Sequence, residues 1–462
     1  MSGLGYGRDA MPFKTCTMSG LRICVIGAGV SGLSAAWLLA REHDVTLYES
    51  EERPGGHCNT VEVDTPEGPV AVDAGFIVFT PRTYPNFTEW LRLLGVETQY
   101  APMSFSVSFD SGAYEYSGSG LSGLFGQRRN LIRPRHWRMT SDILHFFRKA
   151  EADLSRDALH GLTLGHYLRS GRFGETFIMQ HILPMAAAIW SAPCAKVLEF
   201  PATSFVRFFA NHGMLQTLRR PKWLTVKGGS RAYVETAVRE SRLTLRTGCA
   251  IRRVVRKGEG RVIVFDGAGQ QAEYDHAVIA THADEALRLL QAPTAEECDL
   301  LGAFGYSSNR AVLHTDESFM PKRRRLWSSW NYIGEGEGAS AALPCVTYWL
   351  NNLHALKVSR NIFLTLNPMR EPNPHSVLAH FRYTHPIFND AAMRAQARLA
   401  RLQGTGRVWF AGSYFGYGFH EDGVQSGLAV AEMIGGVRRP WSLAEPADRI
   451  APLGAEPYLA AG

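Results

Sequence analysis

The sequence lacks the signatures of several protein classes. Its 462 residues contain no apolar run near the roughly 18–20 residues that a membrane-spanning helix needs. It has no HExxH zinc helix, no GxSxG nucleophile turn and no Walker phosphate loop, and its carboxylates do not cluster at metal-ligand spacing. These absences argue against a membrane-spanning protein, a serine hydrolase, a phosphate-loop nucleotidase and a metalloenzyme.

Cysteine is sparse and scattered. The seven cysteines form no CxxC pair, and their spacing fits no zinc site. The first 20 residues lack the charged and apolar regions of a secretory signal peptide, so we interpret them as a loose extension. Together these features predict free thiols in a reducing cytoplasm.

What the sequence does contain is a glycine-rich turn directly after a short apolar strand at 22–26. Gly27, Gly29 and Gly32 give this turn the GxGxxG pattern. In such a turn the first glycine permits a tight bend, the second lets the backbone approach a pyrophosphate, and the third lets helix and strand pack closely. The pattern predicts a dinucleotide site.

The residues that follow complete a dinucleotide-binding unit. A helix is predicted over 33–41, and a second strand ends at Glu49, about 20 residues after the turn, where an acid accepts hydrogen bonds from a ribose. The unpaired N–H groups and the dipole of the helix N-terminus favour a pyrophosphate. We expect cofactor contacts at the three glycines, Val30, Ser31 and Glu49.

Segments typical of a nucleotide-binding domain occur at three separate places. The predicted cofactor domain takes residues 21–81, 221–299 and 401–440. The predicted substrate-binding domain takes the aromatic-rich stretches 82–220 and 300–400, between the extension at 1–20 and a tail at 441–462. We therefore predict an α/β fold, α+β overall, in which a Rossmann-like domain is interleaved with a discontinuous second domain and the substrate site lies between them.

Two further motifs extend the pattern. Arg53, Gly55, Gly56 and His57 follow the second strand, and the strand at 408–412 leads to a glycine-rich segment before a helix at 424–434. In this order the motifs resemble FAD-dependent amine oxidases and phytoene-type desaturases. The resemblance implies an amine-oxidase-like fold and FAD as the cofactor. The remaining predicted cofactor contacts are Arg53, Gly55, Gly56, His57, Ala250, Ile251, Gly412, Asp422, Gly423 and Val424.

A narrower resemblance rests on the segments 73–79, 83–87, 103–108, 211–213 and 417–423. These are similar to a bacterial family of predicted NAD/FAD-binding flavoproteins, associated with enzymes that methylate or cyclopropanate phospholipid acyl chains. At least one branch desaturates methylated fatty acyl chains. This resemblance implies a methylated fatty acyl chain as substrate and a lipid methyltransferase as partner.

The sequence shows no second dinucleotide fingerprint. Residues 334–338 have alternating glycines, but we see no buried strand before them, and 258–260 is predicted to be a hairpin turn. FAD is therefore predicted as the only dinucleotide. Its reduced form would pass electrons to oxygen, a quinone or a protein carrier.

Catalytic candidates are fewer, since a flavin that oxidises a C–H bond accepts the hydride itself. His420 is expected beside the flavin as the base, because histidine titrates near neutral pH; a structural hydrogen bond is the alternative. His57 would tune the flavin or take part in catalysis, or else support the backbone. Tyr414 would form a wall over the flavin, or only pack within its loop.

Three basic clusters stand out against a net charge of +6, at 128–138, 219–223 and 321–327. They are either solvated loops or a surface for anionic phospholipid head groups, with neighbouring Trp and Leu side chains reaching the interface. Nucleic acid is not favoured because no recognition motif accompanies the charge. We expect a cytoplasmic protein, peripheral on the inner face of the membrane if the second alternative holds.

The combined prediction is an FAD-dependent oxidoreductase that oxidises or desaturates a hydrophobic substrate by hydride transfer to the flavin. The leading substrate is a fatty acyl chain of a phospholipid. One alternative is an amine oxidase, although the lysine that such enzymes commonly place near the flavin cannot be assigned in this sequence. A second alternative is a non-catalytic flavin-binding accessory subunit of a lipid-modifying enzyme.

Overall fold

The computed structural model describes residues 20–216, 221–336 and 343–443. The predicted N-terminal extension, apart from Gly20, lies outside these ranges, and so does most of the predicted tail. Two arginines of the second basic cluster, Arg219 and Arg220, also lie outside the described residues.

The strands vary in length from three to eleven residues. In chain order they are β1 (Arg22–Ile26), β2 (Asp44–Tyr48), β3 (Thr60–Val63), β4 (Val70–Asp73), β5 (Thr98–Tyr100), β6 (Phe105–Phe109), β7 (Tyr114–Ser117), β8 (Leu224–Val226), β9 (Thr244–Arg246), β10 (Ile251–Lys257), β11 (Arg261–Asp266), β12 (Gln271–Tyr274), β13 (His276–Ile279), β14 (Gly305–His314), β15 (Trp330–Gly334), β16 (Cys345–Trp349), β17 (Phe363–Leu366), β18 (Val377–Ile387) and β19 (Val408–Phe410).

The helices lie between these strands. They are α1 (Val30–Leu39), α2 (Pro85–Leu93), α3 (Gly120–Leu124), α4 (Pro134–Ser155), α5 (Leu164–Ser170), α6 (Glu175–Phe177), α7 (Leu183–Trp190), α8 (Cys194–Val197), α9 (Ala202–Asn211), α10 (Arg231–Glu240), α11 (Ala283–Leu289), α12 (Ala295–Leu301), α13 (Leu350–Leu353), α14 (Asp390–Gln396) and α15 (His420–Ile434). In the described ranges, none of these helices combines the length and the apolar character that crossing a bilayer requires.

A parallel sheet with the strand order β19-β13-β1-β2-β9 forms the first layer. Its central strand β1 is almost entirely apolar, and residues 23–26 are buried, as expected for a parallel strand covered on both faces. The chain leaves β1 for β2 on one side and later adds β13 on the other, which makes β1 the switch point where such sheets bind ligands. This sheet confirms the predicted α/β class and Rossmann-like core.

The predicted helices of this layer are present, but both begin earlier than predicted. Helix α1 begins at Val30 because Gly29, with extended backbone angles, serves as its N-cap. Helix α15 begins at His420 rather than at 424 because Glu421 and Asp422 lie in its first turn, where acidic side chains stabilise a helix N-terminus. The sequence pattern therefore located both helices and misjudged their starts by three or four residues.

A second, seven-stranded sheet has the order β18-β14-β17-β16-β15-β6-β7 and is antiparallel except where β15 pairs with β6. Helices α4, α5, α7 and α9 share its largest hydrophobic core, in which Phe146, Phe177 and Phe209 are buried. Three-stranded β10-β11-β12 and two small ribbons complete the sheets of the described residues. The chain passes between the two large sheets more than once. The residue boundaries of the two domains stay predictions.

The prediction that no buried strand leads to the glycines at 334–338 was wrong. Strand β15 runs directly up to Gly334, and three of its five residues are buried. Residues 337 and 338 lie outside the described residues. The strand pairs with β6 and β16 in the mixed sheet, so it is not part of a parallel nucleotide-binding sheet. The hairpin predicted at 258–260 is confirmed, since Lys257 and Arg261 face each other across the antiparallel pair β10 and β11.

Candidate functional site

The glycine turn after β1 leaves an open space at the N-terminus of α1. A Cβ on Gly27 would lie 2.8 Å from the Ala280 carbonyl oxygen, and one on Gly32 would lie 1.8 Å from that of Gly27. A Cβ on Gly29 would meet nothing within 4 Å. Packing within the protein therefore requires the first and third glycines, whereas the second faces empty space.

Glu49 lies beneath this turn. Its Oε2 accepts a hydrogen bond from the Ala28 N–H at 2.8 Å, and its Oε1 accepts one from the Glu51 N–H at 2.9 Å. The Cys249 N–H donates to the Glu49 carbonyl oxygen at 2.8 Å, which brings the following Ala250 and Ile251 alongside. Ala250 is half-buried, while Ile251 is buried in a hydrophobic core.

A second glycine turn packs on the first. The Gly55 N–H donates to the Ala28 carbonyl oxygen at 2.8 Å, and a Cβ on Gly56 would lie 3.2 Å from the Gly29 Cα. The Arg53 guanidinium donates to the carbonyl oxygens of Gly56 and Cys58, each at 3.0 Å. Arg53 therefore holds the shape of this turn.

The start of α15 meets the start of α1. A Cβ on Gly423 would lie 2.6 Å from Val30 Cγ1, and one on Gly427 would lie 2.1 Å from the Ser31 carbonyl oxygen. Ser34 Oγ donates to the Val424 carbonyl oxygen at 3.2 Å. The two helices approach this closely because glycine stands at their contact.

The loop before α15 is fixed by its own helix. The Asp422 carboxylate accepts hydrogen bonds from the Phe419 N–H at 2.8 Å and the Tyr417 N–H at 3.1 Å. The Gly412 N–H donates to Ser426 Oγ at 3.0 Å. These contacts hold the segment after β19 against the helix.

The assembled residues fit a dinucleotide. The N-cap Gly29 has no side chain, so no side chain of the cap accepts from the first N–H groups of α1, and the space in front of them is open. An anionic pyrophosphate placed there would satisfy those N–H groups. The predicted cofactor residues converge on this region, although Ile251 and Arg53 support it through packing and backbone contacts.

His57 follows the second turn and lies in a cluster that the sequence did not reveal. Its ring centre is 5.1 Å from that of Tyr383, 5.5 Å from that of His385 and 6.4 Å from that of His282. Asn309 Nδ2 lies 3.0 Å from His385 Nδ1, and Asn59 Nδ2 donates to the Tyr383 hydroxyl at 3.0 Å. The cluster thus joins the turn after β2 to the N-cap of α11 and to strand β18.

These histidines are neutral at pH 7. Burial, reinforced by His385 and His282, lowers the pKa of His57 to about 3. Burial likewise lowers the pKa of His385 to about 4 and lowers that of His282. Across the described ranges no group of three or more His, Cys, Asp or Glu side chains is arranged to hold a metal ion. The cluster therefore offers neutral hydrogen-bonding groups that are weak proton acceptors.

His420 is enclosed by other side chains. Phe76 stacks on its ring with centres 3.8 Å apart, and Phe87 meets it edge-on at 4.9 Å. Its Nε2 lies 2.8 Å from the Tyr233 hydroxyl and 3.6 Å from Cys58 Sγ. Burial lowers the pKa of His420 to about 3. This setting favours the structural alternative, and the catalytic role stays a prediction.

Tyr414 is also buried, with 1% of its surface exposed. Its ring packs on those of Phe304 and Phe415, with centres 5.3 and 4.9 Å away. Burial raises the pKa of the Tyr414 hydroxyl well above its usual value. This position favours the packing alternative over a wall above a flavin, and its catalytic role also stays a prediction.

Phe419 forms an aromatic wall with helices α7 and α9. Its ring lies 4.9 Å from that of Phe208, 6.2 Å from that of His212 and 6.4 Å from that of Trp190. Only Phe419 of these comes from the segment before α15. A largely buried apolar cluster therefore lies beside the N-terminus of α15, with Phe419 as its half-buried member between the two largest hydrophobic cores.

A family model described as flavin containing amine oxidoreductase matches residues 30–381. Among curated relatives, a zeta-carotene-forming phytoene desaturase of Myxococcus xanthus is 47% identical over 51 residues. The match covers 11% of this chain and only 10% of that relative. The chain therefore matches only a small part of the length of this curated relative.

Solved structures match over most of the chain. A putrescine oxidase bound to putrescine has a TM-score of 0.67 at 14% identity and covers 90% of this chain and 99% of its own. A CLA-producing fatty acid isomerase from P. acnes has a TM-score of 0.64 at 14% identity, with coverages of 90% and 98%. At such low identity these likenesses show the fold alone.

Proposed function

Since the chain belongs to the flavin containing amine oxidoreductase family, we propose that it oxidises or desaturates a methylated fatty acyl chain of a phospholipid. The family match confirms the predicted FAD cofactor, the FAD-dependent oxidoreductase class and the resemblance to amine oxidases and phytoene-type desaturases. The acyl substrate and the methyltransferase partner belong to the proposal.

FAD, when bound, supplies the two-electron acceptor for a hydride from the substrate. The open N-terminus of α1 at Gly29 would hold its pyrophosphate, and Glu49 would accept hydrogen bonds from its ribose. His57 and its neutral neighbours would donate or accept hydrogen bonds without adding charge.

The aromatic wall at Phe419 is the observation that carries the substrate class. Phe208 and Trp190 are buried behind Phe419, and the Phe419 ring is half-buried. The exposed part of that ring, backed by an apolar cluster, would offer an alkyl chain a dispersion contact from which water is largely excluded. The fold itself does not decide between the substrates, since both a fatty acid isomerase and a putrescine oxidase share it.

The positions of the lysines weigh against the amine oxidase alternative. The lysines within the described ranges are exposed or half-buried at the surface: Lys149, Lys196, Lys222, Lys227, Lys257, Lys322 and Lys357. The least exposed of those in ion pairs, Lys149, pairs with Asp153 at 2.8 Å. Amine oxidases commonly place a lysine beside the flavin. None of these seven lysines is buried as such a position requires.

Anaerobic mixing of the FAD-loaded protein with candidate substrates tests the proposal. Methyl-branched acyl phospholipid in detergent should bleach the flavin absorbance, whereas benzylamine and putrescine should leave it unchanged. Bleaching by the amines alone would establish the amine oxidase alternative instead.

A pair of variants tests the aromatic wall. Phe419→Ala should raise the acyl substrate concentration needed for half-maximal bleaching by about tenfold or more, the loss expected when a phenyl contact is removed. Phe265→Ala in the three-stranded sheet removes a half-buried ring elsewhere and is the matched control. Equal effects of both variants would remove the support that the wall gives to an acyl substrate.

A further inference from the structure

Four large apolar side chains are exposed together on one surface. The exposed fractions are 74% for Leu121, 52% for Leu131, 82% for Ile132 and 51% for Trp137. They come from α3, the 3₁₀ turn at Arg128–Ile132 and the first turn of α4. Water contact with so much apolar surface is unfavourable, which makes a contiguous group of this kind typical of an interaction surface.

The tryptophan is held in place at this surface. Trp137 Nε1 donates to the Leu131 carbonyl oxygen at 2.9 Å. Its ring packs on that of Phe125 with centres 4.8 Å apart. The indole therefore lies on the outside in a fixed orientation and ties α4 to the 3₁₀ turn.

Basic side chains surround the apolar group. Residues 118–141 and 320–327 contain no aspartate or glutamate. The exposed basic residues there are Arg128, Arg129, Arg135, Arg138, Lys322, Arg324 and Arg325. Within the described ranges, no carboxylate forms an ion pair with Arg128, Arg129, Arg324 or Arg325. Their positive charge is therefore available to a partner.

One buried carboxylate joins the two basic segments. The Glu115 side chain is fully buried, and its Oε1 and Oε2 accept from the Lys322 N–H at 2.7 Å and from Arg323 Nη1 at 2.6 Å. The Glu115 N–H donates to Gln127 Oε1 at 2.9 Å. A Cβ on Gly126 would lie 2.3 Å from Leu326 Cδ2, so the segments also touch. Segments 120–138 and 321–327 thus form one surface, which we call the basic cap.

The basic cap is anchored to the core beneath it. The Tyr114 hydroxyl and His136 Nδ1 are 2.8 Å apart, and so are the Tyr116 hydroxyl and His181 Nδ1. Tyr114 and Tyr116 lie on β7 at the edge of the seven-stranded sheet. The basic cap therefore packs on the edge strand β7 of the seven-stranded sheet.

We propose that the basic cap docks the protein on an anionic phospholipid surface. Arginine and lysine side chains are attracted to the head groups, while Leu121, Ile132 and Trp137 enter the interfacial region. A nucleic acid would engage the arginines but gain little from exposed leucine and isoleucine. The inference rests on the proposed function only in that it explains how an acyl chain within a lipid layer is reached.

Flotation with vesicles tests the proposal on the full FAD-loaded protein. Phosphatidylglycerol-containing phosphatidylcholine vesicles with saturated unbranched chains should carry the protein upward, and pure phosphatidylcholine vesicles should not. Raising the ionic strength from 0.1 M to 1 M shortens the screening length from about 10 Å to about 3 Å and should release most of it. Equal binding to both vesicle types would overturn the electrostatic part of the proposal.

Two sets of variants separate charge from insertion. Arg128→Gln, Arg129→Gln and Arg324→Gln together should weaken vesicle binding about a hundredfold, at about fivefold per arginine. The matched control, Arg252→Gln, Arg394→Gln and Arg401→Gln, makes the same charge change at exposed arginines on other elements and should bind as the parent does. Equal losses in both sets would show a non-specific charge effect and overturn the cap.

Ile132→Ser tests insertion, with Leu378→Ser at another exposed position as its control. Ile132→Ser should weaken vesicle binding at least fivefold and leave the melting temperature unchanged. Retained vesicle binding by Ile132→Ser, with duplex DNA bound tightly by the parent and lost in the arginine variant, would identify a nucleic acid surface and overturn the lipid proposal.

The docking experiment stands apart from the test of function, since the vesicle chains cannot be oxidised at a branch and flavin bleaching is not its readout. If the vesicles fail to bind while acyl substrate in detergent bleaches the flavin, the docking proposal fails and the proposed function stands. If the vesicles bind and no acyl substrate bleaches the flavin, the reverse holds.

Discussion

Two helix N-termini meet at the cofactor region, and they are built in opposite ways. Helix α1 begins at Val30 after the N-cap Gly29, which has no side chain to accept from the first N–H groups and faces open space. Helix α15 begins at His420 and carries acids in its first turn, and Asp422 accepts from the Phe419 and Tyr417 N–H groups before it.

The difference shows which end is prepared for an anion. At α1 the N–H groups and the helix dipole are left for a ligand. At α15 the negative charge is already supplied by the protein, and the other acid there, Glu421, accepts from the N–H groups of Asn86 and Phe87 at the start of α2. We therefore expect the α1 terminus to bind an anion, whereas the α15 terminus positions Phe419 and connects to α2 through Glu421.

The largest effect is expected from a change at the open N-terminus of α1. Gly29→Val should abolish FAD retention, because its side chain would occupy the place of the pyrophosphate. The free energy of unfolding of the apoprotein should change by no more than about 0.5 kcal/mol, since the Cβ meets nothing. Flavin absorbance after desalting and urea unfolding measure the two quantities.

Gly32→Ala is the matched control at the packed glycine of the same turn. Its Cβ would lie 1.8 Å from the Gly27 carbonyl oxygen, so it should lower the free energy of unfolding by about 2 kcal/mol or more. Normal flavin content in Gly29→Val would contradict the assignment of the open end.

The next effect concerns His420, the first residue of α15. The folded pKa of His420, about 3, lies below the unfolded value of about 6.5, so the unfolded chain binds the extra proton between these values. The stability contributed by the neutral ring is complete above about pH 6.5 and is lost as the pH falls toward 3. For this histidine the loss from pH 7 to pH 5 is about 2 kcal/mol.

Urea unfolding at the two pH values measures this loss. His420→Gln should reduce the pH dependence by about 2 kcal/mol, and His375→Gln, at an exposed position, should not. An unchanged pH dependence in His420→Gln would show that the ring is not held neutral.

A smaller effect is expected from Asp422, which accepts hydrogen bonds at the N-terminus of α15. Asp422→Asn removes the charge from two hydrogen bonds to backbone N–H groups at a helix N-terminus, and should cost about 1–2 kcal/mol of stability. Asp44→Asn, at an exposed carboxylate, should cost less than about 0.5 kcal/mol. Chemical denaturation would compare them, and equal costs would remove the distinction between the two termini.

The smallest effect sharpens the role of Glu49. Glu49→Gln keeps an oxygen to accept from the Ala28 N–H but loses the charge, and should raise the Kd for FAD about fivefold, or about 1 kcal/mol. Glu51→Gln is the control at the neighbouring exposed acid. A fluorescence titration that gave equal Kd values for both variants would limit Glu49 to supporting the turn.

The sequence predicted the α1 end well because its parts are local. Strand, turn, helix and acid follow one another within about 30 residues, and each glycine position has a steric reason. The sequence also singled out His420 and Tyr414, whose functional roles stay predictions. It could not show that their rings turn into Phe76 and Phe304, since side-chain direction depends on distant neighbours.

The histidine cluster around His57 had no sequence signal. His282 and His385 lie hundreds of residues further along the chain, and the pattern around 385 is that of an ordinary strand. The basic cap was visible as two separate charge clusters, but only the fold showed that Glu115 joins them and that Ile132 is exposed.

By itself the sequence determined the dinucleotide-binding unit and the parallel strand at its centre, because turn geometry and close packing at glycine follow from neighbouring residues. The flavin followed from the resemblance of several motifs to a known family and from the lack of a second fingerprint. Only the tertiary structure decided how the N-terminus of α15 is connected to its neighbours, which histidines share a site and which charges face outward. Those properties depend on burial and on contacts between segments far apart in the chain, and no local pattern encodes them.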